Sequence, residues 1–516
     1  MKLKKIISLI LVLTLASVSF YGCKKKENVG ESASGTLTYW MPIDMALATV
    51  VSNYGETPFA KELTRRTGVN VEYIHPANGR AAEEFSIMLA SNQLPDIVEY
   101  SWMNYLGGAD KAVEDGFIVS LNDMMETKAP NFYGYLKENP EIDKRAKSDG
   151  GNYIGFPAII GDESLLVSAG LCLRKDWLDE LGMSVPETID DWEKVLTAFR
   201  DKKNAAAPLS YEYAQFDFGV FSGAYGVGGG VYLDRGIVKY GPAEPGYKEY
   251  LTKMNEWYEA GLIDKNIFSI DSNTVMAHML GGVSGATVNS IGGGMGKMIS
   301  SATDEKFDLV AAPYPVLERG KKPEFGHYNN PISAITISIT TDCKDIDSAM
   351  KLLDYGYGEE GRKLFNFGIE GESYTVVDGY PRYTEFITDN KDGKPMQTML
   401  ALYARAATGT RGSIQDKRYM EQYAKLPQQK NAWEVWSNTN AKEHLLPTMY
   451  PTQKDTDLYA KIVVAIDTYN HEMIPKFIMG IEPLSNYDNY VQQLRQRGLD
   501  ELIGIHQDAY EMYLKR

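Results

Sequence analysis

The feature that most constrains the fold is an alternation of strand and helix patterns that begins near residue 37. Residues 37–40 have the pattern of a strand, residues 57–68 that of a helix with an N-cap and a terminal glycine, and residues 69–73 that of a second strand. Another amphipathic helix leads into a third strand at residues 96–100. This order predicts a parallel sheet with right-handed crossovers, whose ligands bind beyond the carboxyl ends of the strands.

The length of 516 residues exceeds what one hydrophobic core usually serves, so two lobes are expected. A second periodic region begins near residue 170, where Thr188 and Asp191 form a capping box. Strand patterns follow at residues 285–289, 307–312 and 332–340, and the chain is mostly helical from residue 401. The predicted fold class is α/β, with two lobes that each hold a mainly parallel sheet flanked by helices, and a helical C-terminal segment.

The first 22 residues predict an export signal. Three lysines precede an apolar run at residues 6–20, which is too short for a confident membrane span, and Gly22 stands before Cys23. A small residue before a cysteine is what a lipoprotein signal peptidase requires, so Cys23 is the predicted lipidation site, anchoring the protein to the outer face of the cell membrane. Residues 23–35 are polar and small and are predicted to be a flexible tether. An ordinary signal peptide, with Cys23 incidental, is the alternative.

The composition of the chain restricts the kinds of molecule that it can bind. The formal net charge is −16, and loss of the signal lysines makes it more negative, which argues against nucleic acid because phosphate binding needs clustered cations. Cys172 and Cys343 are predicted to be buried free thiols, with a disulfide as the alternative. The 34 tyrosines supply aromatic faces on which sugar rings can stack, although most are expected to pack in cores.

Signatures of catalysis and metal binding are weak. The glycines at residues 282–286 do not complete a nucleophile elbow, and those at residues 292–298 do not complete a phosphate loop. The six histidines have no metal-ligand spacing, so no metal and no cofactor are predicted. Paired carboxylates are too numerous to be diagnostic, which leaves a glycoside hydrolase open as an alternative.

Seven short motifs, in order along the chain, resemble the family 1 extracellular solute-binding proteins of ATP-driven importers. They begin at residues 94–98 and continue at residues 153–157, 173–192, 238–242, 257–264, 367–371 and 470–477. Within that family the chain is most similar to the LipO-like lipoproteins of Gram-positive bacteria, and more distantly similar to alginate-oligosaccharide and maltose-binding proteins. Alginate-type members often carry a calcium loop after the signature helix, but here residues 201–208 contain three alanines, so no calcium is predicted.

The resemblance implies a non-enzymatic, monomeric protein that closes two lobes around a carbohydrate, commonly an oligosaccharide, and delivers it to the transmembrane subunits of an ABC permease. We expect lobe 1 to comprise residues 36–157 and about 308–385, and lobe 2 to comprise residues 158–307 and about 386–516. A peptide-binding or sensory receptor built on the same lobes is a further alternative.

Candidate ligand-binding residues are aromatic, amide or charged groups at strand ends and in glycine-rich or other loops, where stacking faces and polar groups could meet a sugar. They are Trp40, Glu99, Tyr100, Trp102, Tyr225, Asn289, Tyr328, Asn329 and Arg382. Arg382 is included because its guanidinium could bind a uronate carboxylate. Packing in a core is the alternative for each aromatic. The helical tryptophans are assigned to packing, with a cleft wall left open for Trp433 and Trp436.

Overall fold

The structure, a computed structural model, describes residues 35–409, 411–448 and 456–516. The predicted signal peptide (residues 1–22), Cys23 and the tether up to residue 34 lie outside these described residues. The described chain forms two sheet-centred bodies, lobe 1 and lobe 2, each with its own hydrophobic core.

Lobe 1 is built on a six-stranded sheet in the order β13-β4-β10-β3-β1-β2. Its strands are β1 (Thr36–Trp40), β2 (Asn70–Ile74), β3 (Ile97–Tyr100), β4 (Phe156–Ile160), β10 (Ile332–Ile339) and β13 (Ile414–Gln415). β1 pairs in parallel with β2 and β3, as predicted, and β13 pairs in parallel with β4. β10 is antiparallel to both β3 and β4, so the sheet is mixed. The carboxyl ends of β1, β3, β4 and β13 therefore point toward the same side.

Helices cover both faces of this sheet and bury its aliphatic and aromatic side chains. They are α1 (Met45–Ala48), α2 (Pro58–Thr67), α3 (Ala81–Ser91), α4 (Gly108–Glu114), α5 (Met125–Lys128), α6 (Pro130–Glu138), α7 (Pro140–Ala146), α13 (Ile346–Asp354), α14 (Glu359–Phe367), α15 (Glu385–Thr388) and α16 (Met396–Tyr403). The hairpin of β11 (Tyr374–Val377) and β12 (Tyr380–Tyr383) packs beside α14 and α16 around a small core of its own. Burial on both faces explains why β3 is apolar at Ile97 and Val98.

The sheet of lobe 2 corrects the prediction of mainly parallel strands. β5 (Ala169–Arg174) lies between β8 (Ala286–Ser290) and β9 (Leu309–Ala311) and is antiparallel to both. The chain enters this lobe along β5, running away from lobe 1, and β8 and β9 both run back toward it. Among the described residues of this lobe, parallel pairing is limited to isolated bridges, two at Leu209 and one between Thr188 and Val316. Element order alone does not reveal the direction in which a chain re-enters a sheet.

The remaining elements of lobe 2 surround a large aromatic core. They are α8 (Lys175–Leu181), α9 (Ile189–Lys203), the hairpin of β6 (Val231–Asp234) and β7 (Ile237–Tyr240), α10 (Pro245–Glu259), α11 (Ser272–Leu280), α12 (Lys297–Ser301), α18 (Pro427–Ser437), α19 (Thr456–Ile478), α20 (Tyr487–Gln496) and α21 (Leu499–Lys515). A π-helix (Ile291–Gly296) joins β8 to α12. The predicted helical C-terminal segment is thus present.

The chain crosses between the sheets along residues 161–168, 312–331 and 416–426, and α17 (Lys417–Tyr423) lies in the third crossing. Two predicted boundaries need correction. The sequence predicts β9 in lobe 1, but it pairs with β5 in lobe 2. It also predicts residues 386–415 in lobe 2, but α16 packs in lobe 1 and β13 extends its sheet. Both boundaries lie in short loops, and the composition of these loops does not indicate which sheet the next strand joins. The lobe division as a whole stays a proposal.

The lobes also touch away from the crossings, where the end of α21 reaches α7. The Arg516 guanidinium donates hydrogen bonds to the carbonyls of Lys147, at 2.6 Å, and Lys144, at 3.3 Å, and forms an ion pair with Asp149. Tyr513 lies beneath the ammonium of Lys144 at 4.8 Å. This edge of the lobe interface is therefore closed by polar contacts.

The two described cysteines are free and buried, as predicted. Cys172 lies in β5 of lobe 2, whereas Cys343 follows β10 in lobe 1. Burial raises the pKa of both thiols to about 12, so neither is a reactive thiolate near neutral pH.

Candidate functional site

A cavity of about 220 Å³ lies where the two lobes meet. Lobe 1 contributes α16 and the 3-10 turn Ala406–Thr408, lobe 2 contributes the end of β8, the π-helix and α18, and the first and third crossings complete the wall. The buried apolar lining consists of Leu165, Val167, Ile291, Leu400 and Ala406. Three rings, Tyr419, Tyr423 and Trp433, stand around it, and its polar side chains include Ser168, Ser290 and Gln397.

The lobe 2 wall takes its shape from the turn between β8 and the π-helix. The Asn289 side chain accepts a hydrogen bond from the Ser290 amide at 2.9 Å, and its amide group contacts the Met298 sulfur at 3.2 Å. The glycines that follow allow the backbone to pack directly on side chains. At Gly292 the α-carbon faces the Tyr423 ring so closely that a β-carbon would lie 2.5 Å from a ring carbon. The glycine cluster thus brings the lobe 2 backbone against α17.

Gly292→Ala is expected to lower the free energy of unfolding by about 1–3 kcal/mol, because the added methyl forces either Tyr423 or the π-helix to shift. Gly293→Ala is the matched control, since a β-carbon there meets nothing within 4 Å. The control should be neutral or slightly stabilising. Urea unfolding of both variants measures the difference, and equal stability would show that the contact with Tyr423 is not tight.

Hydrogen bonds hold two of the cavity rings in place. The Tyr419 hydroxyl accepts from the Gln415 side-chain amide at 2.9 Å. The Trp433 indole N–H donates to the carbonyl of Ser164, which links α18 to the first crossing. Burial raises the pKa of the Tyr423 hydroxyl, so this group remains neutral and able to donate a hydrogen bond. The cavity therefore presents fixed aromatic faces beside uncharged polar groups.

A buried ion cluster lies next to the cavity, on the sheet side of Ala406. Glu99 is 0% exposed and accepts hydrogen bonds from Arg405 at 2.8 Å, from Arg411 at 3.1 Å and from the Tyr39 hydroxyl at 2.7 Å. Burial acts to raise the pKa of the Glu99 carboxyl, but the two guanidiniums outweigh it and hold the pKa at about 2. The cluster anchors the segment that carries Ala406 to β3.

Four predicted ligand residues belong to this sheet rather than to the cavity wall. Trp40, Tyr100 and Trp102 come together around Phe85 as one aromatic cluster, with Trp40 and Tyr100 edge to face at 5.6 Å and Phe85 and Trp102 at 5.2 Å. Trp40 and Trp102 are 5% and 1% exposed, so they cap the sheet beneath α3. Glu99 has both carboxylate oxygens engaged in the ion cluster. Tyr100 is the member of this group that retains intermediate exposure.

Two more predicted residues lie where the second crossing contacts the first. The backbone N–H of Asn329 donates to the carbonyl of Leu166 at 2.8 Å, and the Tyr328 hydroxyl donates to the Glu163 carboxylate at 3.2 Å. Both bonds join the second crossing to the first. Beside them the ring of His327 accepts from the Ser168 amide at 3.4 Å. Burial lowers the pKa of His327 to about 4, which keeps this ring a neutral acceptor near pH 7.

The last three predicted residues are dispersed. Asn289 does not line the cavity but stabilises its lobe 2 wall through hydrogen bonds to Ser290 and Met298. Tyr225 packs on the lobe 2 core near Tyr250 of α10. Arg382 lies on β12 and lines a separate open groove of about 760 Å³, which shares Trp433 with the cavity. The ligand roles of all nine residues remain proposals.

Sequence reasoning does not identify Tyr419, Tyr423, Gln397 or Ser290, whereas it allows Trp433 as a cleft wall. One signal was available. The glycine cluster after the strand at residues 286–290 does not complete a phosphate loop, but glycines after a strand also mark close backbone packing. The tyrosines of α17 have no such signal, because their position depends on the third crossing.

Among the described residues, no group of three or more His, Cys, Asp or Glu side chains is arranged to hold a metal ion. In the same part of the chain, no helix is both long enough and apolar enough to cross a membrane. The side chains that line the interlobe cavity carry aromatic, aliphatic, amide and hydroxyl groups.

Comparison with known proteins places this geometry in context. A family profile described as bacterial extracellular solute-binding protein matches residues 51–363. FusA, a fructooligosaccharide ABC transporter substrate-binding protein of Streptococcus pneumoniae, is 25% identical over 488 residues, which cover 88% of this chain and 86% of that protein. Lipoprotein LipO of Bacillus subtilis is 25% identical over 519 residues, covering 96% of each chain. The crystal structure of alginate-binding protein AlgQ2 without calcium ion is similar with a TM-score of 0.75 at 24% identity, over 92% of this chain and 98% of that one. The likeness to AlgQ2 confirms the predicted α/β two-lobed fold.

Proposed function

Because this chain belongs to the bacterial extracellular solute-binding proteins, the family that its motifs resemble, we propose that it captures an oligosaccharide between its lobes for an ABC importer. The observation that carries the proposal is the cavity at the lobe junction, whose wall is shared by both lobes and two crossings. A ligand that contacts both lobes favours the closed arrangement by its differential affinity for that state. The closed, loaded protein is then the form that the permease receives.

The character of the cavity supports a carbohydrate ligand. A sugar ring has an apolar C–H face that stacks on aromatic side chains and a rim of hydroxyls that needs hydrogen bonds. Tyr419, Tyr423 and Trp433 supply the faces, and Ser290 and Gln397 supply uncharged hydrogen-bonding groups. The relative FusA is a fructooligosaccharide-binding protein, which agrees with this ligand class.

The protein is proposed to release its ligand unchanged. Hydrolysis of a glycosidic bond ordinarily requires two carboxyl groups flanking the bond. The described residues that line the cavity include neither Asp nor Glu. This lining supports binding over hydrolysis.

Anchoring is proposed to occur through a lipid on Cys23, which holds the monomeric protein at the outer face of the cell membrane beside its permease. The signal pattern of residues 1–22 supports this placement, and the relative LipO is itself named a lipoprotein. Metabolic labelling with a fatty acid analogue in a bacterial host should label the wild type and leave Cys23→Ala unlabelled. Equal labelling of both proteins would contradict the anchor.

Oligosaccharide binding is tested by thermal-shift screening of the mature protein against neutral and acidic oligosaccharides and short peptides, followed by calorimetry. At least one oligosaccharide should raise Tm, since a ligand at about 100 times its Kd stabilises the folded state by about 2.7 kcal/mol. No reducing ends should appear during incubation. A shift with peptides alone, or released reducing ends, would contradict the proposal.

A further inference from the structure

The lining of the interlobe cavity is uncharged. Within the part of the chain that the structure describes, none of the residues that line it is Asp, Glu, Lys, Arg or His. The electrostatic character of the cavity therefore depends on whether charges just outside it are available to a ligand.

Most of the charged residues that flank the lining residues in sequence already form ion pairs or face another groove. Four of them form ion pairs: Arg405 with Glu99 at 2.8 Å, Asp416 with Arg418 at 2.5 Å, Lys417 with Asp162 at 3.0 Å and Glu163 with Lys442 at 2.7 Å. Glu421 and Glu434 also adjoin lining residues, but they face the groove of Arg382 instead. Two nearby lysines, Lys425 and Lys430, form no ion pair among the described residues, but neither lines the cavity, and Lys430 lines the groove of Arg382.

The uncharged polar groups of the lining are, in contrast, available. Among the described residues, the Ser290 hydroxyl, the Gln397 side-chain amide and the Tyr423 hydroxyl have no hydrogen-bond partner. Each can donate to or accept from a sugar hydroxyl. They line the same cavity as the apolar groups and the rings, so a sugar stacked on the rings has uncharged partners for its hydroxyls within the same wall.

We propose that the sugar unit held in this cavity is neutral, a hexose or similar ring without a carboxylate, and that it is one end of a longer oligosaccharide. This rests on the function proposed above and names its substrate class. A uronate carboxylate entering the cavity would lose water and meet no cation, whereas neutral hydroxyls find three uncharged partners. The volume of about 220 Å³ is below the roughly 300–1,000 Å³ of pockets that enclose whole drug-sized ligands, which suits a single terminal ring.

The test is calorimetry with oligosaccharides matched in length and linkage. α-1,4-linked galactotriose is compared with trigalacturonate, β-1,4-linked mannotriose with trimannuronate, and 1-kestose and maltotriose extend the neutral set. The tightest neutral sugar should bind at least about tenfold more tightly than either uronate. A uronate that binds within tenfold of it, or more tightly, overturns the proposal of a neutral ring. If no saccharide of either kind binds, the proposed function fails as well, so the two failures are distinguishable.

A variant with an added positive charge tests whether the preference for neutral sugars arises in this cavity. Gln397→Lys adds a cation to the exposed rim of the cavity and should strengthen uronate binding by about tenfold or more. Gln93→Lys adds the same charge to an exposed position of lobe 1 outside the cavity and should leave uronate binding unchanged. Equal gains in the two variants, or no gain in Gln397→Lys, would show that this cavity does not select the charge of the ligand.

Discussion

Glu99→Gln is expected to lower the free energy of unfolding by about 3–5 kcal/mol, because it leaves the Arg405 guanidinium buried without a counter-charge. The substitution preserves the volume of the side chain, so the loss reports charge rather than packing. Urea unfolding followed by tryptophan fluorescence measures it. A loss below about 1 kcal/mol would mean that Arg405 reaches water or another anion.

Two controls separate the buried pair from an ordinary ion pair. Glu83→Gln removes the partner of Arg80 in a bridge whose side chains are both 56% exposed, and it should cost no more than about 1 kcal/mol. The double variant Glu99→Gln with Arg405→Met removes both charges of the buried pair and should recover much of the lost stability. If the double variant is no more stable than Glu99→Gln, Arg405 contributes to stability through packing rather than through its ion pair with Glu99.

The same cluster predicts a dependence on pH. The folded pKa of Glu99, about 2, lies below its ordinary value of 4.5, so between these values the unfolded chain binds a proton that the folded protein does not. The stability from Glu99 is therefore fully present above pH 4.5 and is lost as the pH falls toward 2, by about 3 kcal/mol in total. The difference between wild type and Glu99→Gln should shrink across that window. A constant difference would contradict the assignment.

Tyr423→Ala is expected to weaken oligosaccharide binding by about 10- to 100-fold, which corresponds to about 1.4–2.8 kcal/mol. The ring is part of the cavity wall, packs on the Gly292 backbone and carries a neutral hydroxyl, so its loss removes a stacking face and a hydrogen-bonding group together. Calorimetry with the tightest-binding oligosaccharide measures the change. Unchanged affinity would remove α17 from the binding site.

Tyr423→Phe and Tyr225→Ala are the matched controls for this experiment. The phenylalanine variant keeps the stacking face and loses one hydroxyl, so its loss should be smaller, at most about tenfold. Tyr225 packs near Tyr250 outside the cavity lining, and its alanine variant should bind as the wild type does. Weakened binding in Tyr225→Ala alone would instead favour the site chosen from sequence.

Local signals in the sequence predicted local structure well. The helix expected after Thr57 runs over Pro58–Thr67, with the Thr57 hydroxyl accepting from the Ala60 amide at 3.1 Å, and it ends at Gly68 with a φ of 70°. The Thr188 and Asp191 capping box is present at the start of α9. Both depend on residues within a few positions of each other, which is why sequence alone reveals them.

Long-range pairing was beyond the reach of such signals. The position of Glu99 at the end of a strand predicts ligand binding, but its carboxylate is fully buried and ion-paired within lobe 1. Its partner is Arg405, 306 residues away, and no sequence feature near either residue indicates that the two pair. The aromatic residues Trp40 and Trp102 were expected at strand ends and are found there, but α3 covers them. Proximity to a strand end therefore does not establish exposure to a ligand.

A crystal structure of the protein with its tightest-binding oligosaccharide tests the two-lobed capture of a sugar most directly. It should show one neutral ring in the interlobe cavity, in contact with Tyr423 and Trp433, with the rest of the oligosaccharide extending between the lobes. A sugar bound in the groove of Arg382, or on one lobe without contact to the other, would contradict it.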